Sequence, residues 1–344
     1  PESLDLQRVL REMENAGVGT VVMEVSSHSL ELGRVEGCEF DLAIFTNLTQ
    51  DHLDFHGDLN RYLNAKLRLF SDLGKQSKKA THKLALINMD DPFAQKVFQA
   101  TPVEAWSYGL NQGARIRPYN LELSSRGMRF CIQTPQNSIS IQSRLIGEHN
   151  VYNILAATGA GIWADLSPSE IEEGIGNVQN VPGRWERIEV GQRFTVVVDY
   201  AHTGDALERV LKAAKRLCEG RLITVFGCGG DRDRAKRPIM GEIAARYSDY
   251  FIITSDNPRS EDAEAIISEI EQGVKKACLG RGKYDRMVDR REAIAKAIEA
   301  AQENDLIVIA GKGHETYQIL KEGPIAFDDC EVATTCIRKR LKDG

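Results

Sequence analysis

Asp256, Asn257, Pro258 and Arg259 follow the hydrophobic run at 250–254, with only Ser255 between. In an open α/β sheet ligands bind beyond the carboxyl ends of the strands, which is where these four residues would fall. An aspartate there can take an ammonium, an asparagine supplies both a donor and an acceptor, and an arginine grips a carboxylate through two parallel bonds. The set suits an amino-acid head group carrying both charges. Asp, Asn and Pro are also common turn formers, so the segment is equally compatible with an ordinary strand-to-helix turn.

A second group lies in the N-terminal half: Glu24 at the end of a hydrophobic run, His52 after another, and Lys66 on the helix that follows. A carboxylate oxygen and an imidazole nitrogen make a divalent-ion site, although Mg²⁺ prefers oxygen donors. Lys66 lies four residues after Tyr62 and four before Phe70, so it shares their face of a helix. Burial would lower its pKa and free the neutral amine, which reacts with carbon dioxide to give a carbamate that behaves as a carboxylate. The other possibility is a lysine that snorkels from the edge of the apolar stripe.

Asn150, with Asn153 one turn on, precedes Arg184 and Asp199. Asn150 suits a helix cap. Asp199, beside Tyr200 and His202, can accept from ribose hydroxyls, and Arg184 can neutralise a phosphate. Two glycine-rich loops follow predicted strands. The first, Gly227-Cys228-Gly229-Gly230-Asp231-Arg232-Asp233, lacks the G-x-G-x-x-G spacing of a dinucleotide fingerprint. Its glycines suit close backbone approach to a ligand, with Arg232 supplying charge. The second, Gly311-Lys312-Gly313-His314-Glu315, lacks the phosphate-loop pattern G-x-x-x-x-G-K-[ST], which occurs nowhere in the chain.

The elements that must position these residues read as an α/β pattern. Apolar spacing predicts helices over 4–16, 58–70, 150–164 and 167–175, with strands over 20–25, 41–46 and 83–88. Alternation between 116 and 145 predicts an antiparallel insertion. A boundary falls near Val181-Pro182-Gly183-Arg184, dividing the chain into domains 1–184 and 185–344. Strands over 194–199, 221–226, 250–254 and 306–310 then alternate with helices over 205–217, 236–248, 261–277 and 291–302. That alternation predicts a mostly parallel sheet covered on both faces.

With 344 residues, 42% hydrophobic and 27% charged, the chain is globular and long enough for two domains. A net charge of −6 argues against a nucleic-acid or anionic-membrane surface. No apolar run approaches the roughly 20 residues that span a bilayer, and the charged, amphipathic start is not that of a signal peptide. The seven cysteines, Cys38, Cys131, Cys218, Cys228, Cys278, Cys330 and Cys336, form no CxxC pair and read as reduced cytosolic thiols. The chain begins with Pro1, which leads us to expect a start in the middle of a longer protein.

These segments, in this order, resemble the Mur ligases. The resemblance is carried by Met23-Glu24-Val25-Ser26-Ser27-His28, Thr46-Asn47-Leu48, Asp51-His52-Leu53-Asp54, Ala65-Lys66, Asn150 with Asn153, and Pro182-Gly183-Arg184. It continues through Asp199-Tyr200-Ala201-His202-Thr203, Gly229-Gly230-Asp231-Arg232-Asp233, Asp256-Asn257-Pro258-Arg259 and Gly311-Lys312-Gly313-His314-Glu315. It spans essentially the whole chain.

The resemblance implies an incomplete central ATPase-type domain without its phosphate loop, followed by a Rossmann-like C-terminal domain. It implies ATP-dependent amide-bond synthesis through an acyl phosphate, in bacterial peptidoglycan precursor synthesis, by a cytoplasmic monomer without nucleic-acid partner or membrane insertion. Mg²⁺ would sit near Glu24, His52 and a carbamoylated Lys66. Ser26 and Arg34 would touch a UDP-N-acetylmuramoyl-L-alanyl-D-glutamate substrate, and Asn150, Asn153, Arg184 and Asp199 would contact ATP. Arg232, Asp256, Asn257, Pro258, Arg259, Gly311 and Glu315 would hold the incoming amino acid.

Lysine-adding members lack the arginine of the Asp-Asn-Pro-Arg segment, so Arg259 implies meso-diaminopimelate, which differs from lysine by one carboxylate. Leu32 stands where many members have glutamine, and Gly204 where proline is usual. With the phosphate loop absent, the chain alone is expected not to turn over ATP. The alternatives are a lysine-adding ligase, a ligase like folylpolyglutamate synthase, and a non-catalytic amino-acid-binding module.

Overall fold

The computed structural model describes residues 2–48, 53–75, 82–277 and 283–343. Strands Leu222–Phe226 and Leu306–Ala310 are buried at every position. Such strands need cover on both faces, and the chain supplies it with helices. Two compact units result: Pro1–Leu121 with Phe130–Ile141 and His149–Ile175, and Glu122–Arg129 with Gln142–Glu148 and Gly176–Gly344.

In chain order the first elements are α1 (Ser3–Asn15), α2 (Ser27–Glu31), β1 (Leu42–Phe45), α3 (Leu53–His56), α4 (Leu59–Ser71), β2 (Leu84–Asn88), α5 (Ala94–Ala100) and β3 (Glu104–Tyr108). Strands β1, β2 and β3 pair in parallel, in that order. Helix α4 begins where the Asp58 carboxylate accepts from the Asn60 and Arg61 amides, a side-chain cap. It buries Tyr62, Leu63, Ala65 and Phe70, and a cluster of Phe45, Leu63, Phe70 and Ile87 joins it to the sheet. Next come β4 (Arg117–Ser124), β5 (Gly127–Gln133) and β6 (Ser138–Ser143), a separate three-stranded sheet in sequence order. Strand β6 alternates exposed and buried residues, as its Ser-Ile-Ser-Ile pattern predicts. Helices α6 (Glu148–Trp163) and α7 (Pro168–Asn177) follow.

The strand expected over 20–25 does not form. Residues 18–26 are irregular, Val22 is 93% exposed, and no strand among the described residues pairs with the segment. Hydrophobicity alone does not make a strand without a neighbour to complete its ladder.

The later elements are β7 (Glu186–Ile188), β8 (Thr195–Asp199), α8 (Gly204–Leu217), β9 (Leu222–Phe226), α9 (Lys236–Tyr247), β10 (Tyr250–Thr254), α10 (Ala263–Ala277), β11 (Lys283–Met287), α11 (Arg290–Ala300), β12 (Leu306–Ala310), β13 (Tyr317–Leu320), β14 (Gly323–Ala326) and α12 (Asp329–Asp343). Gly204 opens α8, and the Thr203 hydroxyl caps it by accepting from the Ala206 amide.

The six-stranded sheet runs β11-β10-β9-β12-β8-β7. All neighbours are parallel except β7 against β8. Leu207 of α8, Met240 of α9 and Ile266 of α10 pack in one core cluster. Ile294 of α11 and Val332 of α12 pack in another, which also holds Val225 and Ile309. The chain steps from β9 outward to β10 and β11, then returns to insert β12 beside β9. The segments leaving β9 and β12 lead to helices of different clusters, so the carboxyl ends of these strands form the crevice of a topological switch point.

Candidate functional site

Three loops meet at that crevice, one after each of β9, β10 and β12. Contact between the first two is backbone to backbone: the Gly230 amide donates to the Asn257 carbonyl at 2.9 Å. A Cβ on Gly230 would lie 1.9 Å from the Pro258 carbonyl oxygen, so only glycine fits. Asp231 and Arg259 both hold left-handed backbone, with φ of 53° each. Non-glycine residues in that region carry strain, and here both strained residues line the same crevice.

Asn257 is the hub. Its Oδ1 accepts from the Ile319 amide at 2.9 Å and from Lys312 Nζ at 3.2 Å. Its Nδ2 donates to Glu315 Oε2 at 2.9 Å, and Lys312 Nζ donates to the same oxygen at 3.0 Å. Burial pushes the Glu315 carboxyl up, but the bonds from Asn257 and Lys312, with the charges of Lys312 and Arg259, outweigh it and hold the group below its ordinary value. Glu315 Oε1 makes no hydrogen bond among the described residues.

Asp256 Oδ1 accepts from the Asn257 amide at 2.7 Å. A Cβ on Gly311, whose φ is 120°, would stand 2.8 Å from Asp256 Oδ2, so the loops after β10 and β12 interlock. Pro258 is buried beneath the Gly230 amide's loop. Arg259 Nη1 donates to the Gly230 carbonyl at 2.8 Å, and its backbone amide to the Ile319 carbonyl at 3.0 Å. Among the described residues Nε and Nη2 donate to nothing, so one edge of a half-buried guanidinium stays available. Arg232, on the Gly229–Gly230 loop, is exposed and donates to the Asp231 carbonyl at 3.0 Å.

Beneath these residues lie two buried arginines that sequence reading missed. Arg237, 0% exposed, donates to both oxygens of Glu261, to Glu269 and to the Gly229 carbonyl. Arg290 forms a two-bond pair with Asp329, and its Nη2 also donates to the Ala310 carbonyl at 3.0 Å, directly before Gly311. An arginine in the first turn of a helix ordinarily reads as solvent-facing, and nothing local marks these two as buried.

Asp199 ends β8 with only 6% exposure. Its Oδ2 accepts from the Trp185 amide at 3.0 Å and its Oδ1 from the Ala201 amide at 2.9 Å. Burial raises its pKa against those two bonds and the nearby Arg184 charge. The carboxylate thereby pins the Pro182-Gly183-Arg184 turn to the strand end. The Arg184 guanidinium lies 5.0 Å from the centroid of Tyr200, whose ring also contacts His202 at 4.7 Å and His314 at 5.4 Å. Arg184 is exposed and has no ion-pair partner among the described residues, which suits it to an anionic ligand.

In the first unit, Lys66 is half-buried on α4 with Nζ 5.3 Å from the Tyr62 centroid. The shared face expected from spacing is present, while the full burial that would free its amine is not. The Tyr62 ring also stacks on His56 at 5.2 Å, and His56 Nε2 lies 2.9 Å from Ser27 Oγ. Ser26 caps α2: its hydroxyl accepts from the Ser29 amide at 3.1 Å. Arg34 pairs with Glu2 at 2.9 Å. Glu24 is exposed and makes no hydrogen bond or ion pair among the described residues. His52 lies outside the described residues. Leu32, the C-cap of α2, is exposed.

Asn150, expected to cap its helix, instead lies inside the first turn, because α6 begins at Glu148. It is 1% exposed, and its Oδ1 accepts from Asn153 Nδ2 at 3.0 Å. No group of three or more His, Cys, Asp or Glu side chains is arranged to hold a metal among the described residues.

Residues 1–161 match the family model described as "Mur ligase middle domain", and residues 183–313 match "Mur ligase, glutamate ligase domain". The UDP-N-acetylmuramoyl-L-alanyl-D-glutamate--2,6-diaminopimelate ligase of Geobacillus thermodenitrificans is 47% identical over 340 residues, covering 99% of this chain and 69% of that relative. The enzyme of the same name from Syntrophomonas wolfei is 46% identical over 342 residues, with the same two coverages. A solved structure of a ligase of this name superposes with a TM-score of 0.69 at 38% identity, over 99% of this chain and 69% of that one. Folylpolyglutamate synthase of Mycobacterium tuberculosis shares the fold, with a TM-score of 0.61 at 19% identity over 89% of this chain and 64% of that one. The chain belongs to the Mur ligase family.

Proposed function

We propose that this chain carries the amino-acid site, the metal site and part of the ATP site of the ligase that joins meso-diaminopimelate to UDP-N-acetylmuramoyl-L-alanyl-D-glutamate at the expense of ATP. Its relatives at 46–47% identity carry that name over nearly the whole of this chain. The chemistry is ordinary for the class. The dipeptide's free carboxylate attacks the γ-phosphorus of ATP and ADP leaves; the amine then attacks the acyl carbon, loses a proton, and inorganic phosphate departs.

One observation carries the choice of amino acid: Arg259 spends Nη1 on the Gly230 carbonyl and keeps its other edge. A carboxylate on the guest can take that edge with two parallel bonds. Lysine has no distal carboxylate and would leave the guanidinium unpaired, at a cost of about 1–3 kcal/mol or more. Asp256 and Glu315 Oε1 are the acceptors for an ammonium. Arg232, Asn257, Pro258 and Gly311 complete that wall. Asn150, Asn153, Arg184 and Asp199 are assigned to ATP, Arg184 through its unpaired charge. Ser26 and Arg34 are assigned to the nucleotide-sugar dipeptide.

Glu24, His52 and Lys66 as its carbamate would hold Mg²⁺. The donor set fits: a carbamate turns the amine into an oxygen ligand, and the Glu24 carboxylate is accessible and unspent among the described residues. When bound, the ion neutralises the γ-phosphate as it meets a carboxylate. In the same reading the protein works as a monomer in the bacterial cytoplasm, and no helix among the described residues is long and apolar enough to cross a membrane.

Equilibrium dialysis with labelled amino acids tests the substrate. Meso-diaminopimelate should bind at least about tenfold tighter than lysine, given the cost of an unpaired guanidinium; equal binding of the two rejects the assignment. For Lys66, ¹³C-bicarbonate should yield a carbamate resonance that Lys66→Ala abolishes.

A further inference from the structure

Lys312 is 0% exposed. Burying an ammonium is costly unless its donors are met, and two of them are: Nζ reaches Asn257 Oδ1 at 3.2 Å and Glu315 Oε2 at 3.0 Å. The Tyr317 ring, centroid 5.5 Å away, lines another side. No part of this side chain faces the crevice solvent, so it is not a contact for a guest. Both hydrogen bonds of its ammonium go to residues assigned to the amino-acid site.

The arrangement has a directional consequence. An asparagine amide can sit in either of two flipped orientations. Lys312 Nζ and the Ile319 amide are both donors, and both point at Asn257 Oδ1. That leaves Nδ2 facing Glu315, where it donates to Oε2. Oε2 thus takes two donors from the protein, while Oε1 takes none among the described residues. Oε1 is thus the oxygen of the Glu315 carboxylate left to accept from a guest.

We propose that Lys312 is a positioning residue of the amino-acid site, a buried ammonium that sets the Asn257 amide and aims the charged Glu315 Oε1 at the ammonium of the guest. The inference rests on the proposed function for the identity of that guest. The charges facing Glu315 are Lys312 on its own loop, Arg259 after β10 and Arg290 from α11, with the Tyr200 hydroxyl after β8. Removing Lys312 takes away one of the groups that lower the Glu315 carboxyl, so with the two arginines still facing it the group should take up its proton at a higher pH than before.

The test is a double-mutant cycle read by binding of meso-diaminopimelate across pH 4–8. Lys312→Met should weaken binding at neutral pH by about tenfold or more, the scale of a hydrogen bond to a charged group, and should move the acid limb of binding upward. In a Glu315→Gln background the same change should cost little, because the residue acts through Glu315. Lys312→Gln, a polar replacement without charge, should recover part of the neutral-pH affinity and leave the acid limb displaced.

Equal effects of Lys312→Met in both backgrounds, or an unmoved acid limb in the soluble Lys312→Gln protein, overturn the proposal. Failure of the unmodified chain to bind meso-diaminopimelate instead overturns the reading on which it rests. Normal binding with unaltered behaviour of both Lys312 variants overturns only this inference.

Discussion

Arg290 and Asp329 meet with both side chains at 0% exposure, Nε donating to Oδ1 at 2.8 Å and Nη2 to Oδ2 at 2.7 Å. The pair ties the start of α11 to the start of α12, and Nη2 continues to the carbonyl that precedes Gly311. Removing one partner leaves a buried charge without compensation. Arg290→Met should therefore destabilise the chain by about 3–5 kcal/mol, whereas Arg290→Met with Asp329→Leu should recover much of that loss. Urea unfolding followed by the fluorescence of buried Trp185 measures both; a single variant with an unchanged midpoint contradicts the account.

Gly230→Ala should abolish amino-acid binding. Its new methyl would meet the Pro258 carbonyl, a backbone atom that moves only if the Asp256–Arg259 turn moves with it. By contrast Gly174, in the middle of α7, has open space around a hypothetical Cβ. Gly174→Ala should stabilise by about 0.5–1 kcal/mol through helix propensity, and a thermal melt will show whether it does.

Glu261 accepts two bonds from Arg237 and one from the Asp231 amide, which hold its carboxyl at about 2. A carboxyl depressed in this way stabilises the fold above its ordinary value of 4.5, and the contribution is lost as pH falls toward 2. Stability against urea should drop through that window, less steeply at high salt because the group is partly solvated. Glu261→Gln should flatten the acid limb; an identical pH profile would show that the pair does not couple to folding.

Arg259→Ala should weaken meso-diaminopimelate binding by about tenfold to a hundredfold, as expected for a charge-assisted bond to a carboxylate, and leave lysine binding nearly unchanged. Arg259→Lys should not restore it, because an ammonium lacks the planar fork. Parallel dialysis of both amino acids decides the matter.

Much of this protein was legible in its residues. The strands over 250–254 and 306–310 and the helices between them follow from apolar runs that stop at polar turn formers, whereas the grouping of Asp256–Arg259 with Gly311 and Glu315 came only from the resemblance to the Mur ligases. Where local pattern misled, the cause was a missing neighbour: the run at 20–25 has strand-like composition, yet no strand among the described residues pairs with it. The start of α6 was misplaced by two residues, at 150 rather than Glu148, because helix starts are set by the backbone of the preceding turn, which composition describes poorly.

The chain's own order of residues determined the alternation of strands and helices, the family to which it belongs and the residue types available at each strand end. The alternation and the strand-end residues are local, set by side-chain periodicity and turn chemistry over a few positions, whereas the family follows from motifs spread along the whole chain. Which charges became buried was decided only by tertiary structure. Arg290 and Asp329 are 39 residues apart, and Lys312 and Asn257 are 55 apart. They meet because β12 inserts beside β9 and brings distant loops to one edge of the sheet. An ion pair removed from water exists only once that packing excludes the solvent, and nothing in the neighbourhood of either residue along the chain records it.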